Sequence, residues 1–244
     1  MDVLWWVECF PSYTARGRDA ARATARLLAA LGIDFAILGA EEKCTCDSQR
    51  LAGERGLFEM LAEQNLKVLA KYQFQRILVT DPHALNAFRV HYPTLGGSFE
   101  VVHYTKLLAA RVAELRLTKR IDARITFHDP CYLGRHNGEY SAPRTLIEAI
   151  PGAEFVEMGR CKENSYCCGG GGGGMWLDGF VGNHVSERLS ERRVREAVAT
   201  GAEILAICCP YEVSRFEDAV KTTGNEGKLR VIDIAELLDN AREA

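Results

Sequence analysis

The sequence predicts an α/β protein made of two duplicated modules, each a small, mainly parallel sheet flanked by helices. Three observations carry this. Short β-rich runs alternate with longer stretches of helical periodicity, which is the signature of strand–helix–strand units. The chain matches itself in order at an offset that grows from about 122 to 130 residues, as loop insertions would make it do. Several of its nine cysteines fall at or near the ends of predicted strands.

In the first copy the strands are expected at Val3–Val7, Phe35–Leu38 and Arg76–Thr80. The intervening Ala20–Leu31 and Leu57–Tyr72 place apolar residues three and four apart, as amphipathic helices do. In the second copy the expected strands are Arg124–His128, Phe155–Met158, Ile204–Cys208 and Arg230–Asp233, with helices over Thr145–Ile150, Val185–Thr200 and Ala235–Arg242. Cys9 pairs with Cys131 and Arg22 with Arg144, while Cys44-Thr45-Cys46 falls on Cys167-Cys168-Gly169. Ile77 to Ala84 lines up with Leu205 to Glu212, and Val101 to Leu108 with Val231 to Leu238. The modules are therefore expected to span 1–120 and 121–244. Cys9, Cys131 and Cys209 then sit at the carboxyl ends of strands, where open α/β sheets place their sites.

The 244 residues are 47% hydrophobic, enough for one large core or two small ones, so disorder is excluded. Thirty basic residues against 33 acidic ones leave a net charge of −3 and no electrostatic reason to expect nucleic acid. No apolar run reaches the roughly 18–20 residues of a membrane span, and Met1 to Trp6 lacks the basic region of a secretion signal, so a cytoplasmic location is expected. In that compartment thiols stay reduced, and nine cysteines point to metal ligation rather than to a disulfide framework.

Thiolate-bound clusters draw several sulfurs into a small space without needing them close in sequence. In the second copy Cys131 follows one strand, Cys167-Cys168 opens the run Gly169 to Gly174, and Cys208-Cys209-Pro210 follows another strand, offering five sulfurs from three loops. Glycines let the backbone approach a cluster and aim N–H groups at its sulfides. Cys161, among Lys162, Glu163 and Asn164, reads as a loop thiol. His128 is either a hydrogen-bond partner of a ligand or a plain strand-end residue. In the first copy Cys9, Cys44 and Cys46 with Asp81 or His83 make a candidate site for zinc or a second iron–sulfur centre; the alternative is a repeat kept for folding.

These residues resemble the cysteine-rich CCG domain family found in heterodisulfide reductase subunits, glycolate and lactate oxidase iron–sulfur subunits and related oxidoreductases. The resemblance rests on His128-Asp129-Pro130-Cys131-Tyr132-Leu133-Gly134-Arg135-His136-Asn137, on Cys167-Cys168-Gly169 with its glycines, and on Cys209-Pro210-Tyr211. Thr80-Asp81-Pro82-His83 and Gly97 to Tyr104 add to it. It implies two facing modules and a [4Fe-4S] cluster, noncubane in relatives, on Cys131, Cys167, Cys168 and Cys209. The fifth ligand position falls on Glu212, so either neighbouring Cys208 substitutes or Glu212 ligates through oxygen. In the first module Thr45, Asp81 and Ala84 stand where three cysteines are expected.

The resemblance implies an iron–sulfur subunit of a heterodisulfide reductase-like complex, passing electrons to or from a disulfide or thiol substrate. Two alternatives stand beside it: an electron-relay subunit of an organic-acid or flavoprotein dehydrogenase complex, and a zinc-binding structural or assembly subunit. The sequence holds no ferredoxin-like Cys-x-x-Cys run, so iron–sulfur or flavin partner subunits are expected to supply the electrons, with a peripheral place on a membrane complex open.

Overall fold

A computed structural model describes residues 1–176 and 185–243. The first sheet is built from β1 (Val3–Trp6), β2 (Phe35–Ile37), β3 (Arg76–Val79) and β4 (Val101–His103), all parallel, in the order β2-β1-β3-β4. The second repeats that order with β5 (Ala123–Phe127), β6 (Ala153–Phe155), β7 (Ile204–Ile207) and β8 (Arg230–Asp233) as β6-β5-β7-β8. The duplication read from the sequence is thus a duplication of topology. Each parallel pair requires a crossover, which helices supply.

The central strands Val3-Leu4-Trp5-Trp6 and Ile204-Leu205-Ala206-Ile207 are buried along their whole length, as strands covered on both faces are. In the first module α1 (Cys9–Tyr13) and α2 (Ala15–Ala30) follow β1, and the Thr14 hydroxyl caps α2 by accepting the Gly17 N–H at 3.1 Å. Next come α3 (Asp47–Leu51) and α4 (Arg55–Leu69), then α5 (Pro82–Asn86) after β3 and α6 (Tyr104–Ala109) after β4. The second module carries α7 (Ser141–Glu148), α8 (Leu189–Ala199), α9 (Pro210–Thr222) and α10 (Ile234–Ala241).

Several elements differ from the expectation, among them the short helices α1, α3, α5 and α6, and α8, which begins at Leu189 and not at Val185. The strand expected over Phe155–Met158 is β6, two residues earlier, because Ala123 pairs with Ala153; this leaves Glu157 in a loop, free to reach Arg144. Val101–His103 forms a strand of its own, too short to show a period. Helix α9 is a further addition. Pro210 in its first turn has no N–H to lose there, and Val213, Phe216, Ala219 and Val220 form its buried stripe.

One core joins the two sheets, running from Val3 and Trp6 through Phe88 and Ile125 to Leu237 and Leu238. Helix α2 packs on α10 and α6 on α7. Across this seam the buried Tyr104 hydroxyl donates to the Asp233 carboxylate at 2.8 Å, and Arg16 pairs with Glu217 and Glu236. Among the described residues no helix is long and apolar enough to cross a membrane.

Candidate iron–sulfur site

Strand β5 is continued by the His128 N–H, which bonds the Ala206 carbonyl at 3.1 Å, so His128 is held at the sheet edge. Beyond it the Asp129 carboxylate accepts two bonds from Arg144, at 2.8 and 2.9 Å, and the Lys162 N–H at 2.7 Å. Arg144 also grips Glu157 at 2.5 and 3.0 Å. This network fixes the turn that delivers Cys131. The Cys131 sulfur lies 3.8 Å from that of Cys167.

The glycine run does what its composition suggests. Gly169 N–H points at the Cys167 sulfur at 3.3 Å and Gly170 N–H at the Cys168 sulfur at 3.4 Å. Gly169 needs its freedom, with φ at +77°, and a Cβ on Gly170 would sit 3.5 Å from the Cys168 sulfur. Hydrogen bonds from Cys131 and Cys168, with the Gly169 N–H, hold the Cys167 thiol far below its usual range and favour the thiolate. All described cysteines are free thiols.

Cys209 caps α9 and is buried, as is Cys168. Cys208 is fully buried and packs with Ile204 and Ala206 in the core between the sheets, because alternate strand residues share a face. Cys161 is half-buried in a separate loop beside Arg144 and Glu157. A donor atom from each of His128, Cys168 and Glu212 lies within 4.8 Å of the others, and all three side chains are buried. His128 Nε2 is 3.2 Å from Glu212 Oε1, while its Nδ1 accepts from Arg193 Nε at 3.2 Å. Burial and Arg193 push the imidazole pKa down and keep it neutral. Burial, then Cys167, pushes the Glu212 carboxyl up.

In the first module the structure brings Cys9 and Cys44 together with Glu8, donor atoms again within 4.8 Å. Glu8 is buried with φ at +72°, and its carboxylate accepts the Thr45 hydroxyl at 2.6 Å. Burial, then Asp81, drives its pKa well up. Cys46, Asp81 and His83 are not part of this group. Cys46 takes a left-handed conformation and buries its side chain in the core, leaving its N–H on the Cys44 sulfur at 3.3 Å. Asp81 caps α5 by accepting the His83 N–H at 2.8 Å, and His83 Nδ1 meets Asp47 at 2.8 Å.

His83 instead faces the second module. Its ring packs on that of Tyr132 at 4.1 Å and approaches Tyr211 edge-on at 5.3 Å, so the first module forms a wall over the cysteine loop. Sequence reasoning gave no site role to Glu8, Tyr132, Tyr211 or Arg193. Glu8 adjoins Cys9, and the two tyrosines directly follow or nearly follow Cys131 and Cys209, which was the available signal; Arg193 has none.

The donor set, soft sulfurs with backbone N–H groups aimed at them, fits an iron–sulfur cluster. The cysteine-rich CCG domain model matches the chain twice, over residues 3–89 and 125–211, once per sheet. The chain belongs to this family. It is 39% identical over 239 residues to the probable iron-sulfur-binding oxidoreductase FadF of Bacillus subtilis, covering 97% of this chain and 33% of that protein. It is 36% identical over 247 residues to the EtfAB:quinone oxidoreductase of Syntrophomonas wolfei, covering 99% and 34%. Against a subunit of the dihydromethanophenazine:CoB--CoM heterodisulfide reductase of Methanosarcina mazei the identity is 37% over 218 residues, covering 86% and 52%. The chain thus spans a third to a half of the length of these relatives.

Proposed function

We propose that this CCG chain is the electron-transfer part of an iron–sulfur oxidoreductase, with the cluster held by Cys131, Cys167, Cys168 and Cys209 and with modules dividing near residue 120. The observation that carries it is the pair of sulfurs at 3.8 Å, Cys131 and Cys167, each side chain half-buried, with N–H groups on Cys167 and Cys168. Bound there, a cluster supplies a one-electron store. The chain's own residues set its surroundings. Gly169 and Gly170 donate to the ligand sulfurs, which raises the reduction potential. His83, Tyr132 and Tyr211 pack together as a wall beside the loop.

The finer reading is a relay between a flavoprotein or iron–sulfur donor and a second partner. In its support, the first module carries Thr45, Asp81 and Ala84 where a matching sulfur set would have cysteines. Two of the relatives are named as an iron-sulfur-binding oxidoreductase and an EtfAB:quinone oxidoreductase, names that fit a relay. Reduction of a disulfide is the second reading, favoured by the match to a heterodisulfide reductase.

The test is iron and sulfide analysis of anaerobically prepared protein. Iron bound by the natural chain and by Cys161→Ala, and lost in Cys168→Ala, is expected; equal iron in both variants overturns the ligand set. Electron paramagnetic resonance with and without disulfides and thiols then separates the readings. A signal indifferent to them supports the relay.

A further inference from the structure

We infer that Glu212 is an oxygen ligand of that cluster, lying against a His128 whose tautomer Arg193 fixes. The inference rests on the proposed cluster and concerns the position at which this chain departs from an all-cysteine set.

Glu212 lies one helical turn beyond Cys209, its N–H bonded to the Cys209 carbonyl at 3.0 Å, so both residues sit at the same end of α9. The side chain is 1% exposed. Its Oε2 has no hydrogen-bond partner among the described residues, and Oε1 faces His128 Nε2 at 3.2 Å in an alignment too poor for a hydrogen bond. An ionised carboxylate left this way is strongly disfavoured. A buried carboxylate is retained only where a cation compensates it or a proton neutralises it.

The Arg193 guanidinium does not provide that compensation by contact, since it bonds His128 Nδ1, the Arg160 carbonyl and Glu196. Every second-module thiol in the proposed set lies close enough to Glu212 for their charges to interact: Cys131, Cys167, Cys168 and Cys209. Of these sulfurs, that of Cys168 lies within 4.8 Å of a carboxylate oxygen, which places Glu212 beside a thiol that would hold iron.

His128 is the other donor in this group, and its geometry rules it out as the ligand. Nδ1 accepts the Arg193 N–H, so in the neutral ring the proton sits on Nε2. A protonated Nε2 has no lone pair for a metal; it points at Glu212 instead. His128 thus stands 3.2 Å from one carboxylate oxygen, while the other has no hydrogen-bond partner among the described residues. Arg193 acts one step further out by fixing the tautomer. A carboxylate donates less electron density to iron than a thiolate, so it marks one iron as different from its neighbours.

The test uses the full chain reconstituted anaerobically with ⁵⁷Fe and sulfide, comparing natural protein, Glu212→Gln and Glu212→Cys by iron content, Mössbauer spectroscopy and redox titration. The natural chain is expected to show one iron site distinct from the rest. Glu212→Gln should lose about a quarter of the iron, one of the four in a [4Fe-4S] centre. Glu212→Cys should regain it, make the sites alike and lower the midpoint potential. Spectra and iron content that coincide in all three proteins overturn the assignment while leaving the cluster in place. Should Glu212→Gln fail to fold, identical spectra for the natural chain and Glu212→Cys overturn it equally. A natural chain that takes up no iron overturns the proposed function itself, and this inference with it.

Discussion

The imidazole of His83, from the first module, packs against the phenol of Tyr132, from the second, with ring centroids 4.1 Å apart. The contact explains why the first module keeps an Asp-Pro-His turn in place of a cysteine turn. Asp81 and Pro82 start α5, Asp47 anchors the ring, and the ring becomes the lid of the neighbouring loop.

The glycine run is shaped to this lid. A Cβ on Gly171 would fall 2.6 Å from His83 Cε1 and 2.8 Å from Nε2, against a ring already held by Tyr132 and Asp47. Gly171→Ala should therefore destabilise the protein by about 1–3 kcal/mol in urea unfolding, the usual range for forced overpacking. Gly159→Ala, where a Cβ meets nothing within 4 Å, should change stability by less than about 0.5 kcal/mol. Equal effects of the two would contradict the packing argument.

Arg144 and Asp129 form a bidentate pair, both largely buried, with Glu157 completing the network. Arg144→Met strands a buried carboxylate and should cost about 3–5 kcal/mol. Pairing it with Asp129→Asn should recover a substantial part, because the stranded charge is removed. Strict additivity in a double-mutant cycle, read from denaturant midpoints, would show that the two residues are not coupled.

Asp233 should make stability depend on pH. Burial raises its pKa to about 7, although the Ala235 N–H and the Tyr104 hydroxyl favour its charged form. The folded state then binds its proton more tightly than the unfolded chain does, where an aspartate titrates near about 3.9. Between these values stability falls as pH rises, and above about pH 7 the loss is complete. Glu42, raised by burial to about 7, and Asp81, raised by burial to about 6, act in the same direction. Asp233→Asn should flatten part of the slope. Tyr104→Phe removes a donor to the carboxylate and should destabilise more at pH 8 than at pH 5; an equal loss at both would sink the assignment.

Much of this was legible in the chain because a duplicated topology leaves duplicated residues. Cys9 and Cys131 follow equivalent strands, as do Asp81 and Cys209, and apolar runs such as Val3-Leu4-Trp5-Trp6 announce strands covered on both sides. Short elements were less visible. Strand β4 has three residues and was not among the expected strands; its pairing with β3 establishes it, at the position that the repeat matches to β8.

The site divides in the same way. The sequence alone named the available sulfurs and the glycine run beside them, of which Gly169 and Gly170 aim N–H groups at cysteine sulfurs. Which donors converge was decided by tertiary structure. Cys208 enters the core because strand alternation turns it there, whereas Glu8 and Glu212 arrive beside thiols through a strained turn and a helical turn. Arg193, 65 residues from His128, sets the tautomer of that ring from another helix. Spacing in a chain fixes what is near along the backbone. Only packing brings distant donors within a few ångströms, and burial then makes an unpaired charge costly enough to carry meaning.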